Sequence, residues 1–155
     1  MYLWTTQTKI GKISIAENSG KITNLYFTND VKPERDYILR QTPLLQTAFQ
    51  QLNAYLSGDL KNFSVPLNPQ GTKFLQQVWK ALQRICYGQT VSYRDIALKV
   101  GNSKAARAVG LANNRNPIPV FIPCHRVLGS DGSLVGYRGG VELKAQLLEI
   151  ERIRL

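Results

Sequence analysis

The sequence predicts a mixed α/β (α+β) protein built as two small domains: a β-meander with one helix, then a mainly helical unit. Three observations carry this. Residues 2–28 are rich in β-branched and aromatic residues and alternate in polarity, Ile13 and Ile15 flanking Ser14. From residue 72 onward, apolar residues recur at helical spacing. Between the two regimes, Pro66 and Pro69 punctuate a linker-like stretch, which places the domains at 1–65 and 66–155. The chain has 155 residues, 43% hydrophobic and 19% charged, the composition of a folded protein with a core of ordinary size.

In order along the chain, residues 2–28 form three short strands, with Asn18–Ser19–Gly20 as the turn between the second and third. Residues 29–41 are polar and read as loop. Thr42 caps a helix that Pro43 opens, Leu45, Phe49, Leu52 and Leu56 form its apolar stripe, and Gly58 stops it. Phe74, Val78, Leu82 and Ile85 mark a helix from Thr72 to about Cys86, ended by Gly88. Ser92 then caps a helix over Tyr93–Val100, Gly101–Asn102 turns the chain, and Ser103 caps a helix from Lys104 to about Asn114. Two helices joined by a glycine-containing turn make a helix-turn-helix at about 93–114. Residues 115–127, with three prolines and an apolar run, read as stiff, extended and buried. Five glycines between Gly129 and Gly140 mark a tightly turning loop, and Leu143, Leu147 and Ile150 give the stripe of a closing helix over about 142–151.

Charge is concentrated in the second half. The chain carries 20 Lys and Arg against 10 Asp and Glu, a net +10. Between Lys73 and Arg115, Lys73, Lys80, Arg84, Arg94, Lys99, Lys104, Arg107 and Arg115 face one acid, Asp95. Such a stretch around a helix-turn-helix points to contact with nucleic-acid phosphates. In its last helix, Ala105, Ala106, Ala108, Gly110 and Ala112 are small, so the backbone can approach another surface closely, and Arg107 is the long side chain that could reach into a groove. No apolar run nears the roughly 20 residues of a membrane helix, and the N-terminus lacks a signal-peptide pattern. The expected location is cytoplasmic, with Cys86 and Cys124 as free thiols. One His and two Cys are too few for a structural zinc site, so no metal is expected.

The sole His, His125, directly follows Cys124. A thiol becomes a good nucleophile only on ionisation, which a nearby base or cation favours. Rigid Pro123, His125, Arg126 and the glycine loop surround Cys124, whereas Cys86 has no such company. A carboxylate would orient the imidazole, and Asp131, Glu142, Glu149 and Glu151 are all available downstream.

The segment NPIPVFIPCHRV, residues 116–127, resembles the signature of the O6-alkylguanine-DNA alkyltransferases (methylated-DNA–protein-cysteine methyltransferases). The resemblance runs through FLQQVWKALQRI, GQTVSYRDIA, KAARAVGLANNRNP, PCHRV and GYRGGVELKAQLLEIE, in order and spacing. It implies a ribonuclease-H-like N-terminal domain and a winged helix-turn-helix domain that bears the acceptor. It implies single-turnover DNA repair: Cys124 takes the alkyl group from O6 of guanine, with His125 as base through a water and Glu151 orienting it. Asn116 would be the hinge between the DNA-reading helix and the active-site strand. Arg107 would be the finger that enters the duplex, Tyr93 would help rotate the target nucleotide, and Ala105, Ala106 and Gly110 would line the minor-groove face. Tyr93, Val127, Tyr137 and Arg138 would wall the pocket. The resemblance implies double-stranded DNA containing O6-alkylguanine as partner, no cofactor, no membrane association, and a monomer in the absence of DNA.

Two positions depart from the family pattern. Cys86 stands where members commonly have Pro, and Arg138 stands where they often have a small residue. A bulky cation at 138 would narrow the pocket or add a phosphate contact. A Cys-His-Glu hydrolase that turns over, and a non-catalytic DNA-binding module, are the other readings of the same residues.

Overall fold

The computed structural model describes residues 1–33 and 35–153. Glu34, inside the predicted 29–41 loop, and the C-terminal Arg154 and Leu155 lie outside the described residues. The chain divides into two compact units, Met1–Gln70 and Gly71–Leu155.

In the first unit, β1 (Tyr2–Thr8), β2 (Gly11–Asn18) and β3 (Lys21–Tyr26) form the antiparallel meander. The β2–β3 turn needs two left-handed residues, and Ser19 (φ 52°) and Gly20 (φ 77°) supply them. The helix α1 (Pro43–Leu56) covers this sheet with buried Leu45, Ala48, Phe49, Leu52, Tyr55 and Leu56. Thr42 holds its start: the hydroxyl accepts from the Leu45 amide and donates to the buried Glu17 carboxylate. The predicted loop hides a fourth strand. β4 (Ile38–Leu39) pairs parallel to β1 and gives the sheet order β3-β2-β1-β4. Two residues are too few to show any periodicity. The proline stretch also belongs to this unit, for the Asn68 amide donates to the Ile22 carbonyl at 2.7 Å.

The second unit contains α2 (Lys73–Gln83), α3 (Tyr93–Lys99), α4 (Ala106–Asn114) and α5 (Val141–Ile150). Its two-residue strands β5 (Val91–Ser92) and β6 (Val127–Leu128) pair in parallel. Trp79 of α2 is 1% exposed and donates its indole N–H to the Ala112 carbonyl at 3.0 Å, fixing α4 against α2. Ser92 and Asp95 form a reciprocal capping box at the start of α3.

Four expectations need correction here. α2 ends at Gln83, not near Cys86, because the Arg84 and Ile85 amides bond three residues back and tighten the last turn. Ser103 does not cap α4. The helix begins at Ala106 with no side-chain cap, and Asn102 instead accepts from the Lys104 amide. Residues 115–127 are buried for the most part but not extended. The Ile122 amide folds back to Ile118, the Cys124 amide to Ile122, and Cys124–Arg126 make one turn of 3-10 helix. The buried stripe of α5 is Lys144, Leu147 and Leu148, continued by Glu151, rather than Leu143, Leu147 and Ile150.

The contrast between the two serines is measurable. Ser92→Ala should lower stability by about 1 kcal/mol in denaturant titration, whereas Ser103→Ala should leave it within about 0.5 kcal/mol.

Candidate active site and nucleic-acid interface

Cys124 is 3% exposed and sits in the 3-10 turn between the 116–122 loop and β6. The loop is shaped by Asn116. Its side-chain N–H donates to the Ile122 carbonyl at 2.8 Å, and its oxygen accepts from the Ile118 amide at 3.0 Å. Between these anchors Val120 is held at φ 73°, a conformation that costs a β-branched residue on the order of 1–2 kcal/mol. Asn113, at the inner face of α4, donates to the Cys124 carbonyl at 3.2 Å. The turn bearing Cys124 is therefore tied to α4 by Asn113, and the loop before it is pinned by Asn116 just past the helix end.

Of the four candidate acids, the structure brings Glu151 to the imidazole. His125 Nε2 lies 2.7 Å from Glu151 Oε2, with both side chains fully buried. Arg126 closes on the same carboxylate, Nε to Oε1 at 2.9 Å and Nη2 to Oε2 at 3.1 Å, and its Nη1 donates to the Ile85 carbonyl at 2.7 Å. The Gly88 amide adds a further donor at 3.0 Å. Burial alone would raise the Glu151 pKa. Hydrogen bonds and charge from His125, Arg126 and Gly88 outweigh it and bring the group down to about 2. Glu151 is thus an anion throughout the neutral range. Burial pushes the His125 pKa down despite the carboxylate, so the imidazole is neutral there. Nε2 carries the proton donated to Glu151, which makes Nδ1 the basic nitrogen.

Burial pushes the Cys124 thiol up, against a hydrogen bond from Asn116 and the charges of Arg138 and Lys144. Cys124 therefore rests as a thiol and needs a base to ionise it. Lys144 is the residue that sequence reasoning missed. It is 0% exposed, its Nζ donates to the Val135 carbonyl at 3.1 Å, and it lies 5.9 Å from the Tyr93 ring centre. Its pKa falls to about 8, chiefly through burial, with Cys124 opposing the fall. Tyr93 donates its hydroxyl to the same Val135 carbonyl at 3.0 Å, and burial raises its pKa above the ordinary phenol value. One carbonyl of the glycine loop thus collects donors from α3 and α5.

The remaining predicted residues separate. Val127 and Tyr137 are buried. Arg138 is exposed and donates to the Asn116 carbonyl at 2.9 Å, a backbone contact that neither sequence expectation for a cation at 138 included. Arg107 stands exposed on α4, with Ala106 and Gly110 partly exposed. Ala105 does not belong to that surface. It is the N-cap position of α4 and is only 8% exposed, so packing rather than a groove claims its methyl group. Cys86 is a free, exposed thiol.

No helix among the described residues is long and apolar enough to cross a membrane. Residues 1–69 match the family model described as 6-O-methylguanine DNA methyltransferase, ribonuclease-like domain. Residues 73–153 match that described as 6-O-methylguanine DNA methyltransferase, DNA binding domain. The constitutive methylated-DNA–protein-cysteine methyltransferase of Bacillus subtilis is 47% identical, over 98% of this chain and 96% of that protein. A methylated-DNA–protein-cysteine methyltransferase of Methanosarcina barkeri is 45% identical, over 100% of this chain and 99% of its own length. Among solved structures, Mycobacterium tuberculosis OGT in complex with DNA superposes with a TM-score of 0.92 at 43% identity, covering 98% of this chain and 93% of that one.

The buried lysine makes a signed prediction. Lys144 binds its proton more weakly in the folded protein, at about 8, than in the unfolded chain, at 10.5. Burying its charge therefore costs stability below about pH 8, and the cost is recovered as pH rises toward 10.5. Any stability advantage of Lys144→Met over the parent should shrink between pH 8 and 10.5, as read by paired denaturant titrations. A difference that stays flat or grows with pH would contradict the depressed pKa.

Proposed function

This chain belongs to the 6-O-methylguanine DNA methyltransferase family, and from that premise we infer that it repairs DNA by moving an alkyl group from O6 of guanine onto Cys124. DNA is its partner. The observation that carries the assignment of roles is that Cys124, His125 and Glu151 are all buried, with an anionic carboxylate holding the neutral imidazole of the residue that follows a thiol kept protonated by burial.

The reaction needs one displacement. The thiol proton leaves toward His125, by way of a water, as Cys124 Sγ attacks the alkyl carbon. The sulfur–carbon bond forms while the carbon–O6 bond breaks, and the guanine, taking up one proton, leaves as the unmodified base. Glu151 stabilises the imidazolium that forms and fixes its orientation. The product thioether is stable, so each molecule reacts once and needs no cofactor. O4 of thymine offers the same alkyl-oxygen bond.

A stacked guanine cannot bring O6 to a thiol that is 3% exposed, so the nucleotide must leave the duplex. Arg107 fills the gap it vacates, and Ala106 and Gly110 let the backbone of α4 approach the minor groove. Tyr93 guides the nucleotide, and Tyr93, Val127, Tyr137 and Arg138 wall its pocket. Asn116 transmits the position of α4 to the acceptor turn through its two hydrogen bonds. The protein acts in the cytoplasm as a monomer until it meets DNA containing O6-alkylguanine.

Incubation with an oligonucleotide bearing O6-methylguanine should add one methyl group per protein molecule, located on Cys124 by peptide mass spectrometry, and none to Cys124→Ser. Product release over many turnovers would identify a hydrolase instead. Arg107→Ala should slow repair of duplex DNA at least tenfold more than it slows reaction with free O6-benzylguanine. Equal losses on both substrates would remove Arg107 from the finger role.

A further inference from the structure

The outward surface of α4 holds a residue that the transfer chemistry does not use. Val109, Ala112 and Asn113 point inward and are buried, whereas Arg107, Ala108, Leu111, Asn114 and Arg115 are exposed. At 3.6 residues per turn, Arg107, Leu111 and Asn114 fall within about 60° of one another. Leu111 is 57% exposed. A lone exposed leucine on a protein surface means little. This one lies one helical turn from Arg107, and its neighbours Ala108 and Gly110 are too small to cover it. Arg115 follows at the C-cap, so the apolar side chain is bracketed by two exposed cations.

The same helix borders the reaction pocket. A Cβ on Gly110 would sit 4.0 Å from the Tyr93 ring, and Tyr93 reaches the Val135 carbonyl of the loop that also receives Lys144. On the repair reading, a duplex that presents a nucleotide to Cys124 runs along α4, whose exposed surface carries Arg107, Leu111 and Arg115. The walls of a minor groove are deoxyribose C–H edges, an apolar surface between two rows of phosphates. Side chains such as Leu enter that groove and wedge against sugars and base steps. The pattern of cation, leucine and cation matches phosphate, sugar wall and phosphate.

We propose that Leu111 is a DNA-contacting residue, an apolar wedge that packs on the deoxyribose wall of the minor groove one turn beyond Arg107. Its contribution is non-ionic, in contrast to that of Arg115 on the same face. The inference rests on the repair reading above, because it takes the duplex as the occupant of this surface.

The test compares binding of an unmodified duplex over a salt series, together with reaction toward free O6-benzylguanine. Leu111→Ala suits it, since the position is exposed and alanine is the better helix former. Its Kd for duplex should rise about tenfold at every salt concentration, as expected for losing most of a packed apolar side chain. The slope of log affinity against log salt should stay that of the parent, and the rate with free O6-benzylguanine should not change. Leu111→Met should restore most of the affinity. Arg115→Gln should instead lower the slope by about 1. The proposal is overturned if Leu111→Ala binds duplex within twofold of the parent. It is equally overturned if its loss comes with a changed salt slope, or if reaction with the free base falls in parallel. A parent protein that fails to bind duplex or to accept the alkyl group would sink the repair reading itself, a result distinct from any of these.

Discussion

A carboxylate withdrawn from water must find its hydrogen bonds inside the protein, and Glu151 meets that demand by drawing three parts of the chain together. The imidazole of His125, the guanidinium of Arg126 and the amide of Gly88 converge on it. Removing one partner of such a buried pair typically costs about 3–5 kcal/mol. The Cys124–Arg126 turn, the loop after α2 and the C-terminal end of α5 are thus held by one anion. Arg126 extends the hold to the Ile85 carbonyl, and Tyr87 adds a hydrogen bond to the Ile150 carbonyl. Because the same carboxylate holds His125 Nε2, the interaction that organises the unit also leaves Nδ1 as the basic nitrogen of the ring.

The electrostatics of the pocket follow from burial. Loss of water raises the Cys124 thiol, lowers His125 and lowers Lys144. All three shifts favour neutral forms, so the resting site avoids an isolated thiolate in a dry environment. In the proposed reaction, proton removal is linked to the arrival of the alkyl carbon, when sulfur loses its charge again by forming a bond. Arg138 and Lys144 favour the thiolate through their charge, and Asn116 favours it through a hydrogen bond. These influences limit the cost of the charged form without making it the resting state.

Much of this was legible in the residue order. The three strands of the meander and the presence of the first four helices follow from periodicity, and the starts of the first and third from the caps Thr42 and Ser92, while the end of α2 and the start of α4 lie elsewhere than the spacing puts them. Cys124 and His125 stood out because few reactive residues compete with them. What periodicity could not show were features whose partners are distant in sequence. β4 exists only because β1 offers it an edge. Ser103 has the right side chain for a cap, but Asn102 already serves the neighbouring amide. Helical spacing alone puts the stripe of α5 on Leu143, Leu147 and Ile150. Lys144 takes that place since the Val135 carbonyl, nine residues away, receives its ammonium.

By itself, then, the sequence determined the two-part organisation, the basic helix-turn-helix and the identity of the only thiol in reactive company, because each rests on local spacing or on composition. The family motifs also pointed to Glu151 among four downstream acids. Only the tertiary structure decided how that carboxylate is held, through shared bonds to His125, Arg126 and Gly88, and only burial decided that the thiol and imidazole rest neutral and that Lys144 binds its proton weakly. The exposure of Leu111 beside Arg107, and the withdrawal of Ala105 from the same surface, were settled in the same way. A helix wheel orders its faces, but which face turns inward depends on what packs against it.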